Sequence, residues 1–231
     1  MTVRAISIFV LVLFASLGVT PRAEADPIVS LDPSNVGIGT LGTAFDPLTN
    51  TITLVEDWTS VSMGSVNISG LDPGVDYTVV KQLTNNTGTT WTRLANELLD
   101  PAGDPNDDTD PQPYPAFVPV GFSTSNDFDG LSFAQGSGLA RVSDVFASVF
   151  EDELTDARDF LDFFNGTVLD GESVIVTYGL RDNDGVNQPF LLVQRPNVQS
   201  RPEAAIPEPA TMFLVGGGLT ALVRRRLKRK R

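Results

Sequence analysis

The chain has 231 residues, no cysteine and no histidine, and its 29 acidic side chains outnumber 16 basic ones for a formal net charge of −13. The missing histidines exclude Ser-His-Asp and Cys-His catalysis and the usual zinc sites, and the missing cysteines exclude disulfides. Setting aside Glu24, Glu208, Arg4, Arg22 and the seven cations of the tail leaves 27 acidic and 7 basic side chains in the body, a net charge of −20 that argues against nucleic acid or anionic lipid as its partner.

Met1 to Ala25 reads as a secretory signal peptide. Arg4 supplies the positive start, Ala5 to Val19 the apolar run, and Pro21 ends it. Ala23-Glu24-Ala25 is a small-x-small cleavage site, so Ala23 and Ala25 mark the cut and the mature chain begins at Asp26. No cysteine follows the apolar run, which excludes a lipoprotein anchor.

Residues 26–195 are expected to form one β-sandwich ectodomain, followed by a polar linker over 196–205. Asp26 to Asn50 reads as turns and short edge strands around Ile28–Leu31. Strands are expected at Thr51–Val55, Val61–Ile68 and Asp76–Leu83, the last with Tyr77, Val79 and Lys81 on one face. Asn85-Asn86-Thr87-Gly88 reads as a hairpin-type turn, and Thr89–Leu99 as a strand after it. Six prolines keep Asp100–Pro119 irregular. Further strands are expected at Phe117–Phe122, Gly130–Phe133, Ser143–Phe150, Ser173–Leu180 and Pro189–Gln194. Leu154, Ala157, Phe160, Leu161 and Phe164 are spaced for one helical face, which makes Glu151–Phe164 the one expected helix. The fold class is therefore all-β: an antiparallel sandwich, jelly-roll or Ig-like, with at most one short helix.

Several stretches of the body could carry chemistry. Asp100, Asp104, Asp107, Asp108 and Asp110 crowd one loop, and Asp104, Asp107, Asp108 and Asp110 are the candidate calcium ligands. A solvated acidic loop accounts for them more simply, so no cofactor is assigned and calcium is the one left open. Asp182-Asn183-Asp184-Gly185 resembles the opening of an EF-hand loop but has no closing glutamate, and reads as a turn. Glu151, Asp152, Glu153, Asp156, Asp159 and Asp162 could hold a glycosidase carboxylate pair, against a solvated helix face. Trp58, Trp91, Tyr77, Tyr114 and Tyr178 could stack on sugars, against core packing. No catalytic residue is assigned.

The clearest signal is residues 206–231: Pro207-Glu208-Pro209, an apolar run from Ala210 to Val223, and a tail in which seven of the last eight residues are Lys or Arg. A helix over those 14 apolar residues spans about 21 Å, short of a bilayer core of about 30 Å, and Arg224, Arg225 and Arg226 extend its reach to the headgroups. The cations keep the tail cytoplasmic and the body outside. A plain stop-transfer anchor has no need of Pro-Glu-Pro. The three parts in this order resemble a PEP-CTERM sorting signal, found on exported proteins of Gram-negative bacteria that make extracellular polysaccharide. The resemblance implies recognition by exosortase, a membrane-embedded enzyme akin to cysteine proteases, with cutting near the motif and delivery to the cell surface. The turn before Trp91, GESVIVTYGLRDN and PFLLVQRP also resemble ectodomains that often carry this signal, which implies a β-sandwich more than an activity.

The expected protein is thus exported across the inner membrane and held there only as a precursor. It reaches the cell surface or medium as a non-enzymatic structural or adhesive component of a polysaccharide or biofilm matrix. A calcium-dependent carbohydrate-binding adhesin and a carboxylate-dependent polysaccharide hydrolase are the rivals.

Overall fold

Alternation builds the strands. In SVIVTYGLRD, Val174, Val176, Tyr178 and Leu180 are buried while Ser173 and Ile175 face solvent. The computed structural model describes residues 26–102, 119–124, 130–152, 159–183, 185 and 189–198. They form β1 (Ile28–Leu31), β2 (Ile38–Asp46), β3 (Thr51–Trp58), β4 (Gly64–Ser69), β5 (Asp76–Asn85), β6 (Trp91–Pro101) and β7 (Phe122–Thr124). After these come β8 (Leu131–Ser132), β9 (Val142–Ser143), β10 (Ser148–Asp152), β11 (Phe160–Val168), β12 (Ser173–Asp182) and β13 (Phe190–Pro196).

Two sheets result. The first runs β1-β4-β13-β6-β11-β10, with β7 also on β6. The second runs β2-β3-β5-β12-β8, with β9 also on β12. All pairs are antiparallel except β3 with β5. One apolar cluster joins the inner faces, with Leu54, Trp58, Leu83 and Val176 from the second sheet against Val66, Leu94, Leu98, Phe163 and Leu192 from the first. The protein is therefore an all-β, mainly antiparallel sandwich, as expected. Trp58 and Trp91 meet edge to face in this core, ring centroids 5.5 Å apart.

The outer faces differ. On the first sheet, Leu99, Leu191 and Val193 form a second buried cluster with Met63 and Phe122 against it. The second sheet is open to solvent over Thr51, Thr53, Val55, Asp57, Thr78, Val80, Gln82, Thr84, Ser173, Ile175 and Thr177, none of them buried.

Four expectations are corrected. The described part of Glu151–Phe164 is strand, the end of β10 and the start of β11, and there is no helix among the described residues. Leu161 and Phe163 point into the sandwich while Phe160 and Asp162 are buried on the opposite face, so a run apolar on both sides imitated a helical stripe. Asp26–Asn50 holds the nine-residue β2, a mostly exposed edge strand whose Gly39 and Gly42 had suggested turns. Ser143–Phe150 is two strands in different sheets, since β9 pairs with β12 and β10 with β11. The turns after β5 and β12 are not hairpin turns: each carries the chain from the second sheet to the first.

Candidate functional site

Lys81, the only lysine of the body, is fully buried at the centre of the sandwich. It lies on the inner face of β5 between Val79 and Leu83, because side chains two apart share a face. Glu56 takes the equivalent place on β3 between Leu54 and Trp58. The parallel pairing sets Lys81 beside Leu54 and Glu56 beside Leu83, so the two charges approach diagonally. Their closest atoms, Lys81 Nζ and Glu56 Oε1, are 2.9 Å apart, and neither side chain is exposed.

The opposite sheet completes the cluster. Gln194 on β13 shares the inner face with Phe190 and Leu192. Lys81 Nζ donates to Gln194 Oε1. Gln194 Nε2 donates to Glu56 Oε1 at 3.1 Å, and Trp58 Nε1 donates to Glu56 Oε2 at 2.9 Å. Burial pushes the Lys81 ammonium below its ordinary range, and the Glu56 carboxylate offsets this only in part. Tyr178 is buried on the next strand with no hydrogen-bond partner for its hydroxyl among the described residues. Burial, and then the Glu56 charge, hold its phenol well above the usual range. Asn96 stands opposite Gln194 on β6 and donates from Nδ2 to the Leu161 carbonyl at 3.0 Å.

The expected site residues that fall among the described ones serve the core, turns and ion pairs. Trp58, Trp91, Tyr77 and Tyr178 are all core, so they give no sugar-stacking surface. Asp182 is buried, and its Oδ1 accepts from the Gly185 amide at 2.8 Å, which closes a turn. Of the acidic stretch after Phe150, Glu151 pairs with Arg141, and Asp162 lies 3.6 Å from Arg93. Asp100 is buried, accepting from the Leu131 amide at 3.3 Å. Among the described residues no group of three or more Asp, Glu, His or Cys could hold a metal ion. Asp104, Asp107, Asp108, Asp110 and Tyr114 lie outside the described residues, as do Ala23, Ala25, Pro207, Glu208, Pro209, Arg224, Arg225 and Arg226. A depression of about 140 Å³ beside Asp26, Phe45, Asn50, Asp72 and Tyr77 is small against ligand pockets of roughly 300–1,000 Å³. Among the described residues no helix is long and apolar enough to cross a membrane.

Comparison with known proteins bears on the C-terminal stretch. Residues 205–230 match the PEP-CTERM protein-sorting motif. The search of curated proteins found no match, and neither did the search of solved structures. The motif implies an exosortase-processed, surface-sorted protein that is exported and passes through a membrane-anchored precursor. The chain carries an all-β body ahead of its PEP-CTERM sorting motif.

Proposed function

We propose that the body is a non-enzymatic structural or adhesive component of an extracellular polysaccharide matrix. One observation carries the reading: the open face of the second sheet is broad, rich in hydroxyls and low in net charge on a strongly acidic body. Thr51, Thr53, Thr78, Thr84, Ser173 and Thr177 line it with Gln82, and its charges are Asp57 and, at one end, the Asp76–Arg181 ion pair. Hydroxyl and amide groups on a rigid sheet can exchange hydrogen bonds with sugar hydroxyls, and the low net charge lets an anionic polymer approach.

The test is co-sedimentation of the sorted protein with the producing organism's own extracellular polysaccharide, with and without calcium. The expected result is saturable binding that leaves the polymer at full length and is weakened by Thr53→Glu or Thr177→Glu. Shortening of the polymer would overturn the non-enzymatic reading, and binding unchanged in both variants would move the contact off this face. A strict need for calcium would favour the Asp104–Asp110 loop instead.

A further inference from the structure

The Glu56–Lys81–Gln194 cluster is costly as a purely non-covalent device. A buried ion pair in an apolar core is weak evidence for stability, since desolvation rivals the attraction and hydrophobic replacements often do as well. It also brings together the groups of a reaction. Glu56 Oε1 is 2.9 Å from Lys81 Nζ and 3.1 Å from Gln194 Nε2, so one oxygen touches both the amine and the amide nitrogen. Lys81 Nζ also contacts Gln194 Oε1, which leaves the carboxamide carbon one C=O bond beyond. Trp58 Nε1 holds the other carboxylate oxygen and fixes its orientation.

We propose that Lys81 and Gln194 join in an intramolecular isopeptide bond across the sandwich, with Glu56 moving the protons. Glu56 takes a proton from the Lys81 ammonium, giving a neutral amine and a carboxylic acid in place of two buried charges. Nζ attacks the Gln194 Cδ, and the carboxamide becomes a tetrahedral centre. Glu56 passes its proton to Nε2 and takes one from Nζ. The Cδ–Nε2 bond breaks, ammonia leaves, and the new Cδ–Nζ amide remains. One C–N bond forms as another breaks, and nothing is oxidised or reduced. Burial serves each step: it favours the neutral amine that attacks, and it excludes the water that would otherwise compete. Holding the two groups in contact supplies the proximity that an amine and an amide lack in solution.

The bond would tie β5 of the second sheet to β13 of the first. The linkage would be a covalent staple in a chain without cysteine. It rests on the buried cluster alone and is independent of the polysaccharide reading.

The test is tryptic peptide mass spectrometry of the purified full chain, denatured before digestion. The expected result is a branched peptide in which Lys81 is uncleaved and joined to Gln194, lighter by one ammonia than its two parts. Unlinked peptides carrying free Lys81 and unmodified Gln194 would overturn the proposal, and this readout needs no mutant to fold. Glu56→Gln, judged folded by circular dichroism and a cooperative melt, should show only the unlinked peptides. A linked peptide in that variant would overturn the role given to Glu56. Gln194→Ala should keep Lys81 cleavable and lose the faster gel mobility that a branched chain shows after boiling in detergent.

Discussion

Glu56 Oε1 stands 2.9 Å from Lys81 Nζ inside the core, and both side chains are wholly shielded from solvent. Replacing Glu56 by glutamine removes the negative partner and the proton carrier while keeping the volume. The unlinked Lys81 charge would then be left buried and unbalanced, roughly 3–5 kcal/mol worse than the paired state, and the covalent link would be lost as well. The expected outcome is a lower urea midpoint for Glu56→Gln with an unchanged slope. Lys81→Met together with Glu56→Leu removes both charges and spares the penalty for an orphaned ion, though not the contribution of the covalent link. The double variant should therefore melt above Glu56→Gln and below the wild type.

The pH dependence separates a free from a linked lysine. In Gln194→Ala, Lys81 stays an amine whose folded pKa lies below the ordinary 10.5. Between those two values the unfolded chain binds more protons than the folded one, so stability rises with pH towards 10.5 and is lost as pH falls through the window. The linked wild type has no amine there to titrate. Tyr178 acts with the opposite sign, because its raised phenol keeps its proton in the folded state above pH 10, but burial, its larger cause, is common to both proteins. The gap in urea midpoint between wild type and Gln194→Ala should therefore narrow as pH rises towards 10.5. A gap constant with pH would mean that Lys81 titrates alike in both.

Part of this cluster was legible before the structure. The alternation in DYTVVKQL set Lys81 on one face with Tyr77 and Val79, and all three are buried together on β5. Its partners were not legible. The strand expected at Thr51–Val55 runs on to Trp58, because Glu56 and Asp57 read locally as a polar end although Glu56 faces inwards. Gln194 is the last residue of the strand expected at Pro189–Gln194, with no sign there of what it faces. Only the pairing of β13 between β4 and β6 and the parallel pairing of β3 with β5 bring it to Lys81, and neither leaves a local trace. Short strands with turn residues between them were enough for the all-β class. The crossings between sheets were hidden, since a turn such as Asn85–Gly88 can close a hairpin or change layers with the same residues.

Gly64 and Trp58 make a second test of the core. A methyl group at Gly64 would fall 2.4 Å from Trp58 Cη2 and 2.9 Å from Ile38 Cδ1, distances that force the indole to move. Gly64→Ala should destabilise by about 1–3 kcal/mol through overpacking. Trp58→Phe opens space at the same point and also removes the hydrogen bond to Glu56. The two changes share a cavity, so the double variant should lose less than the sum of the singles, by roughly 0.5–3 kcal/mol in a double-mutant cycle. Strict additivity in denaturant titrations would show that the indole does not answer to Gly64.

Burial should also rank the other ion pairs. Arg195 Nη2 lies 2.5 Å from Glu97 Oε2, with Glu97 wholly buried and Arg195 nearly so. Arg181 meets Asp76 Oδ1 at 2.6 Å, but about a third of each side chain is exposed. Arg195→Met takes the guanidinium from a carboxylate that stays buried and should cost roughly 3–5 kcal/mol. Asp76→Asn should cost about 0–1 kcal/mol, and that loss should fade at high salt. Thermal melts at low and high salt check both. Equal losses in the two variants would mean that exposure does not govern these pairs.

The sorting motif gives the last prediction. Pro207, Glu208 and Pro209 precede an apolar run of 14 residues that as a helix spans about 21 Å, and then a tail dense in cations. On this reading the apolar run and tail hold the uncut precursor in the membrane, and that retention does not call on Pro-Glu-Pro. Replacing all three with alanine should therefore leave export and membrane insertion intact and block only release to the surface. The variant should accumulate in the membrane fraction with its tail still attached, while the wild type leaves it. Fractionation followed by immunoblotting against the body and against an epitope placed after Arg231 reads both facts at once. If the alanine variant lost its tail and reached the surface like the wild type, recognition would lie elsewhere in residues 205–230.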